Sequence, residues 1–125
     1  MTAPGATIRI LLADDHAVVR RGLRLVLEAE PDMRVVCEAA DGLEAVEMAI
    51  REEVDLAVLD VTMPGLDGLE LQRRLNIEGN ALPIVFVSGH GDIPMSVRAI
   101  KAGATDFLTK PVQADALVAA VRGAI

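Results

Sequence analysis

Tryptophan and tyrosine are absent from this 125-residue chain, and phenylalanine occurs twice. That leaves little with which to stack nucleobases. The single cysteine, Cys37, excludes an intrachain disulfide and a cysteine-based zinc site. No uninterrupted apolar run approaches the ~18 residues of a membrane span. Met1 to Thr7 shows no basic stretch leading into an apolar one, which argues against secretion. Basic residues are the minority: 12 Lys+Arg face 19 Asp+Glu, for a formal net charge of -7. A domain of this charge is poorly suited to grip a phosphate backbone by itself. What the chain does have is apolar content, 52% of its residues, ample for one core and too much for disorder. One soluble, intracellular domain is the expectation, cytoplasmic in location.

The apolar residues fall into short β-branched runs separated by stretches of helical spacing. Ile8 to Leu12 reads as a first strand, and Ala17 to Glu30 as a helix with Val18, Val19, Leu23, Val26 and Leu27 on its apolar side. Pro31-Asp32 breaks it. Val35 to Ala39 is a second strand. Asp41 caps a helix carrying Leu43, Val46, Ala49 and Ile50 on one face. Leu56 to Asp60 is a third strand, Met63-Pro64-Gly65 a turn, and Gly68 to Asn76 a helix. Ile84 to Ser88 is a fourth strand, followed by a loop at Gly89 to Asp92 and a helix from Pro94 to about Ala102. Asp106 to Thr109 is a short fifth strand, and Gln113 to Ala124 a last helix. Five βα units with continuously apolar strands predict an α/β fold, a parallel sheet doubly wound by helices on both faces.

Sheets of this kind carry their sites at the C-terminal ends of the strands. There the sequence places Asp14-Asp15, Asp60, Ser88 and Thr109-Lys110. If the first and third strands are neighbours, three carboxylates crowd together, and each like-charge pair near 4 Å costs about 4 kcal/mol at an effective dielectric of 20. A cation or a raised pKa relieves such a cluster. Mg²⁺ suits it, since that ion takes oxygen ligands, needs only one or two carboxylates and keeps waters for a phosphate to replace.

With these motifs in view, the chain resembles the response-regulator receiver (CheY-like) domains of bacterial two-component signalling. The resemblance rests on Asp14-Asp15, Asp60 with Met63-Pro64-Gly65 and Asp67-Gly68, Ser88, and Lys110-Pro111, and it spans almost the whole chain. The stretch from Gly89-His90-Gly91-Asp92 to Lys110-Pro111 is similar to regulators of the NarL/FixJ (LuxR-type) class, which usually carry a helix-turn-helix output domain after the receiver. The resemblance implies a (βα)5 flavodoxin-like fold with strand order 2-1-3-4-5, residues 1–125 forming the receiver, and the output domain lying outside this chain. It implies a signalling module rather than an enzyme, one that catalyses only its own phosphorylation and dephosphorylation.

By the same resemblance, Asp60 accepts a phosphoryl group from a sensor histidine kinase. Asp15, Asp60 and the backbone carbonyl of Thr62 would ligate Mg²⁺, with Asp14 acting through water. Lys110 would pair with the phosphoryl group, and Ser88 would donate its hydroxyl to it. Phe107 would then turn inward as the switch, or else it is plain core, as Phe86 is expected to be. The fourth helix, fifth strand and last helix would change together and form a homodimer. Val97, Arg98 and Lys101 are candidates for that face, although Arg98 and Lys101 read equally as a solvated helix surface. Lys110-Pro111 would be cis.

Thr62 and His90 would tune phosphate lifetime. His16 is expected at a helix start, and two histidines without a third partner make a zinc site improbable. Arg20, Arg21 and Arg24 form a basic stripe, either solvated or a docking face for the kinase. Cys37 reads as a small core residue. Two other readings fit the sequence less well. A flavin binder would want a Gly, Ser or Thr-rich loop where Asp14-Asp15 stands. An aspartyl phosphohydrolase would want an acid two residues after its nucleophile, where Thr62 stands. A stand-alone regulator acting on a partner protein remains the alternative to one acting on DNA.

Overall fold

A computed structural model describes residues 7–60, 70, 73–74, 82–88 and 106–125. Five strands, β1 (Ile8–Ala13), β2 (Met33–Ala39), β3 (Leu56–Asp60), β4 (Ile84–Ser88) and β5 (Asp106–Thr109), form one sheet. Its order is β2-β1-β3-β4-β5, as the resemblance implies, and every pairing is parallel, as the apolar strands predict. Three helices lie in the described residues: α1 (Ala17–Glu28), α2 (Gly42–Arg51) and α3 (Ala114–Ala124). The helices expected near Gly68 to Asn76 and Pro94 to Ala102 fall largely outside those residues. No helix among the described residues is long and apolar enough to cross a membrane.

Alternating side chains divide the core into two layers. Leu11, Ala13, Ala57, Leu59, Ile84 and Phe86 face α2 through Ala45 and Ala49. Ile10, Leu12, Leu56, Val58, Val85 and Val87 face Leu23 and Leu27 of α1 and Leu117, Ala120 and Val121 of α3. Both faces of the inner strands are therefore dry, which is why their sequences are apolar throughout.

β2 departs from simple alternation. Its register against β1 slips by one residue, Ile10 facing Val35 and Leu11 facing Cys37, so that Val36 is the extra residue of a bulge. Met33 and Val35 accordingly pack with the α1 layer, whereas Cys37 and Ala39 pack with the α2 layer. Cys37 packs against that core but is only half-buried. Burial, with help from Glu52, pushes its thiol above the usual range and keeps it neutral.

Three details correct the sequence reading. α1 ends at Glu28 and β2 starts at Met33, each two residues earlier than expected. Leu43 and Ile50 do not face the core: both are exposed, and the small Gly42, Ala45 and Ala49 are the buried residues of α2. Val18, placed on the apolar side of α1, is 86% exposed.

Asp41 caps α2 as expected, its side chain accepting the Glu44 N–H at 2.8 Å. Asp41→Ala is expected to cost about 1 kcal/mol, readable as a lower urea midpoint with unchanged m. A second tie joins the C-terminal helix to the α1–β2 connection. Arg122 donates to Asp32 at 2.7 and 3.1 Å and to Glu30 at 2.7 Å. The guanidinium holds the Asp32 carboxyl below its ordinary 3.8. A depressed carboxyl contributes stability above its unfolded pKa and loses it as pH falls through the folded value. Arg122→Ala should therefore lower the melting midpoint at neutral pH and low salt. The deficit should shrink in high salt and in acid below the Asp32 range.

Candidate functional site

The parallel order brings the C-terminal ends of β1, β3, β4 and β5 to one edge of the sheet. Asp14 directly follows β1, Asp60 ends β3, Ser88 ends β4 and Lys110 follows β5. Asp14, Asp60 and Ser88 are 1%, 2% and 1% exposed, and they are the only buried polar side chains among the described residues. Asp15 and His16 stand on the exposed rim.

The Lys110 ammonium lies 2.9 Å from Asp14 Oδ2 and 3.4 Å from Asp60 Oδ2. Burial works against its charge, but the two carboxylates outweigh that and raise its pKa. The Lys110 backbone N–H also donates to the Ser88 carbonyl at 2.6 Å, tying the end of β5 to β4. The Lys110-Pro111 peptide is cis, as expected. Asp14 Oδ1 accepts the His16 backbone N–H at 2.8 Å and lies 3.1 Å from the imidazole Nδ1.

One ammonium pairs with two buried carboxylates, and a third, that of Asp15, stands on the rim beside them. The excess negative charge in a low-dielectric pocket calls for a further cation. Asp14, Asp15, His16 and Asp60 each offer a ligand atom, all within 4.8 Å of one another. An oxygen-rich set of this kind, open on its rim, fits a hard divalent ion.

The sequence-derived candidates divide as follows. Asp14, Asp15, Asp60 and Lys110 come together, and Ser88 sits at the same edge on the next strand. Phe107 is half-buried and packs on Phe86, ring centroids 6.2 Å apart. Phe86 itself is fully buried core, as expected. Thr62, His90, Val97, Arg98, Lys101, Met63-Pro64-Gly65 and Asp67-Gly68 lie outside the described residues.

Two of the three arginines of the basic stripe on α1, Arg20 and Arg24, are engaged. Arg20 pairs with Glu38 at 3.0 Å, and Arg24 pairs with both Glu28 and Glu38. Arg20 also donates to the Asp14 carbonyl oxygen at 2.6 Å, bracing the turn that presents the acids. That bracing role, and the turn of His16 towards the carboxylates, were not expected from the sequence. Two large apolar residues are also exposed on α1, Val18 at 86% and Leu25 at 68%, with the exposed Arg21 between them.

Residues 10–122 match the family model described as the response regulator receiver domain. The response regulator protein TodT of Pseudomonas putida is 42% identical over 120 residues, covering 96% of this chain and 52% of TodT. The transcriptional regulatory protein FixJ of Bradyrhizobium diazoefficiens is 36% identical, covering 100% of this chain and 58% of FixJ. The chain thus spans about half the length of these curated relatives. A solved two-component response regulator of the LuxR family from an Aurantimonas species superposes with a TM-score of 0.86 at 36% identity. That match covers 94% of this chain and 84% of the other. Receiver domains bind Mg²⁺ at an acidic pocket, and the edge described above carries one. On sequence, topology and neighbours alike, the chain belongs to the response regulator receiver family of two-component signalling.

Proposed function

We propose that this domain accepts a phosphoryl group on Asp60 from the phosphohistidine of a sensor kinase. The observation that carries this reading is the placement of a buried Asp60 carboxylate beside the Lys110 ammonium at the end of a central parallel strand. An Asp60 carboxylate oxygen attacks phosphorus, the P–N bond to the kinase histidine breaks, and its electron pair returns to the imidazole, which takes up a proton. Lys110 pairs with the incoming phosphoryl oxygens as a point charge. Asp14, Asp15 and Asp60, with the Thr62 carbonyl, would hold Mg²⁺, Asp14 acting through water. When bound, the ion supplies charge neutralisation and alignment of the transferring group.

Ser88 then donates its hydroxyl to a phosphoryl oxygen, and Phe107 turns further inward against Phe86. The fourth helix, β5 and α3 respond as a unit and pair with a second copy, Val97, Arg98 and Lys101 contributing to that face. Val18, Arg21 and Leu25, exposed along one face of α1, support kinase docking there better than the paired Arg20 and Arg24 do. The output is proposed to be transcriptional through a helix-turn-helix domain, in the cytoplasm. Relatives about twice as long that are named transcriptional regulatory proteins support this over a stand-alone regulator.

The test is incubation with acetyl phosphate and Mg²⁺, followed by intact mass and peptide mapping. A gain of about 80 Da on the peptide holding Asp60 is expected. An adduct on another residue overturns the assignment. Sedimentation with beryllofluoride and Mg²⁺ tests the dimer, and a species that stays monomeric at tens of micromolar contradicts it.

A further inference from the structure

β1 ends at Ala13, so no strand pairing fixes the residues that follow it. Asp14 is nevertheless held on both sides of its Cα. Its N–H donates to the Ala39 carbonyl at 3.1 Å. Its own carbonyl oxygen accepts from Arg20 Nη1 at 2.6 Å. Arg20 Nε in turn donates to Glu38 Oε1 at 3.0 Å. Glu38 and Ala39 are the last two residues of β2. One strand end thus anchors both peptides of Asp14, the first directly and the second through the guanidinium.

That second peptide joins Asp14 to Asp15. A peptide group is planar, so fixing its oxygen fixes the direction in which the chain leaves for Asp15. Asp15 lies between β1 and α1, in neither element, and stands on the exposed rim. The aim of its carboxylate therefore depends on that plane. The contact also asks for an arginine. A guanidinium carries its donors in a fixed fork and reaches a carboxylate and a carbonyl at once, whereas lysine is a point charge on a flexible stem. Arg24 shares Glu38 as a partner and serves as the internal comparison.

Resting on the Mg²⁺ pocket proposed above, we propose that Arg20, anchored by Glu38, is a positioning residue for cation binding. It holds the Asp14–Asp15 peptide so that the Asp15 carboxylate faces the ion, and it thereby sets the Mg²⁺ affinity of the receiver. Charge and position act in opposite directions here. By charge alone, removing a guanidinium near the acids tightens the binding of a cation. By position, removing it frees the turn and weakens binding. The sign of the change separates the two.

The test titrates Mg²⁺ calorimetrically into the full chain as wild type, Arg20→Met, Arg20→Lys and Arg24→Met. The Mg²⁺ dependence of adduct formation from acetyl phosphate is followed in parallel, and urea midpoints report that each variant is folded. Arg20→Met is expected to weaken Mg²⁺ about tenfold, as loss of an outer-shell partner does. The rate at saturating Mg²⁺ should stay within about threefold of wild type, since Asp60 and Lys110 are untouched. Arg20→Lys keeps the charge without the fork and should bind about threefold more weakly than wild type. Arg24→Met should stay within about twofold.

Unchanged or tighter Mg²⁺ binding in Arg20→Met overturns the proposal. So does an equal loss in Arg24→Met, which marks a general effect of the ion pairs. Wild-type affinity in Arg20→Lys overturns it too, and that variant decides if Arg20→Met does not fold. In each of these cases a wild type that still gains its adduct on Asp60 keeps the phosphoacceptor reading. Wild type that binds no Mg²⁺ overturns the pocket and this inference together.

Discussion

Asp60→Asn is expected to abolish phosphorylation from acetyl phosphate, with the rate of adduct formation falling at least about a thousandfold. The amide has nearly the shape of the carboxylate but is no nucleophile towards phosphorus. Asp60 is 2% exposed and ends a fully buried strand, so a substitution of matching size disturbs the packing least. It also removes one of two buried negative charges that share a single ammonium. The metal-free variant should therefore melt at or above the wild-type temperature. Lost chemistry with retained stability separates a missing nucleophile from a damaged fold. Retention of the adduct in Asp60→Asn would transfer the acceptor role to Asp14 or Asp15.

Lys110→Met should cost about 2 kcal/mol of stability at neutral pH, a lowering of the melting midpoint by roughly 6–10 °C. Removing one partner of a fully buried ion pair costs more than this, but the lysine side chain is 19% exposed and water softens the loss. The pH dependence has a definite sign. The ammonium pKa is raised on folding, Asp14 and Asp60 together overcoming its desolvation. Its contribution is complete below the unfolded value of 10.5 and disappears as pH rises through the higher folded value. Urea midpoints of wild type and variant should then converge at strongly alkaline pH. Saturating Mg²⁺ should narrow the neutral-pH gap, since a bound cation stabilises the native state and takes over the charge neutralisation. A neutral-pH difference within about 0.5 kcal/mol, the ordinary range for surface changes, would show that the pair stabilises little.

The sheet and its acidic edge were legible because both depend on one-dimensional signals. Leu56 to Leu59 is apolar at every position and stops at Asp60, β4 runs apolar into Ser88, and the apolar run of β1 stops just before Asp14. Parallel pairing then needs only the order of the strands to bring those ends together. What escaped the sequence depends on distance and size. Helical spacing put Leu43 and Ile50 on the same face as Ala49, but α2 lies against the sheet through Ala45 and Ala49, and the bulkier residues are left outside. Arg20 and Arg24 of α1 looked like part of a free basic stripe because the Glu38 that pairs with them sits on another element, 18 and 14 residues away. His16 gave no sign in spacing of its direction; only the carboxylates on two neighbouring strands reveal it.

The bulge at Val36 lies on β2, which is an outer strand of the sheet. A straight outer strand offers a periodic row of amide and carbonyl groups on which a stray extended chain can grow. Here that row is interrupted midway, and the interruption also swaps which residues point up and down. An intruding strand that matches Met33 to Val35 is out of phase from Cys37 onward. The charged Arg34 and Glu38 on either side of the step would oppose it further. The residue that lets β2 feed both core layers also spoils the sheet margin as a template for stray strand pairing.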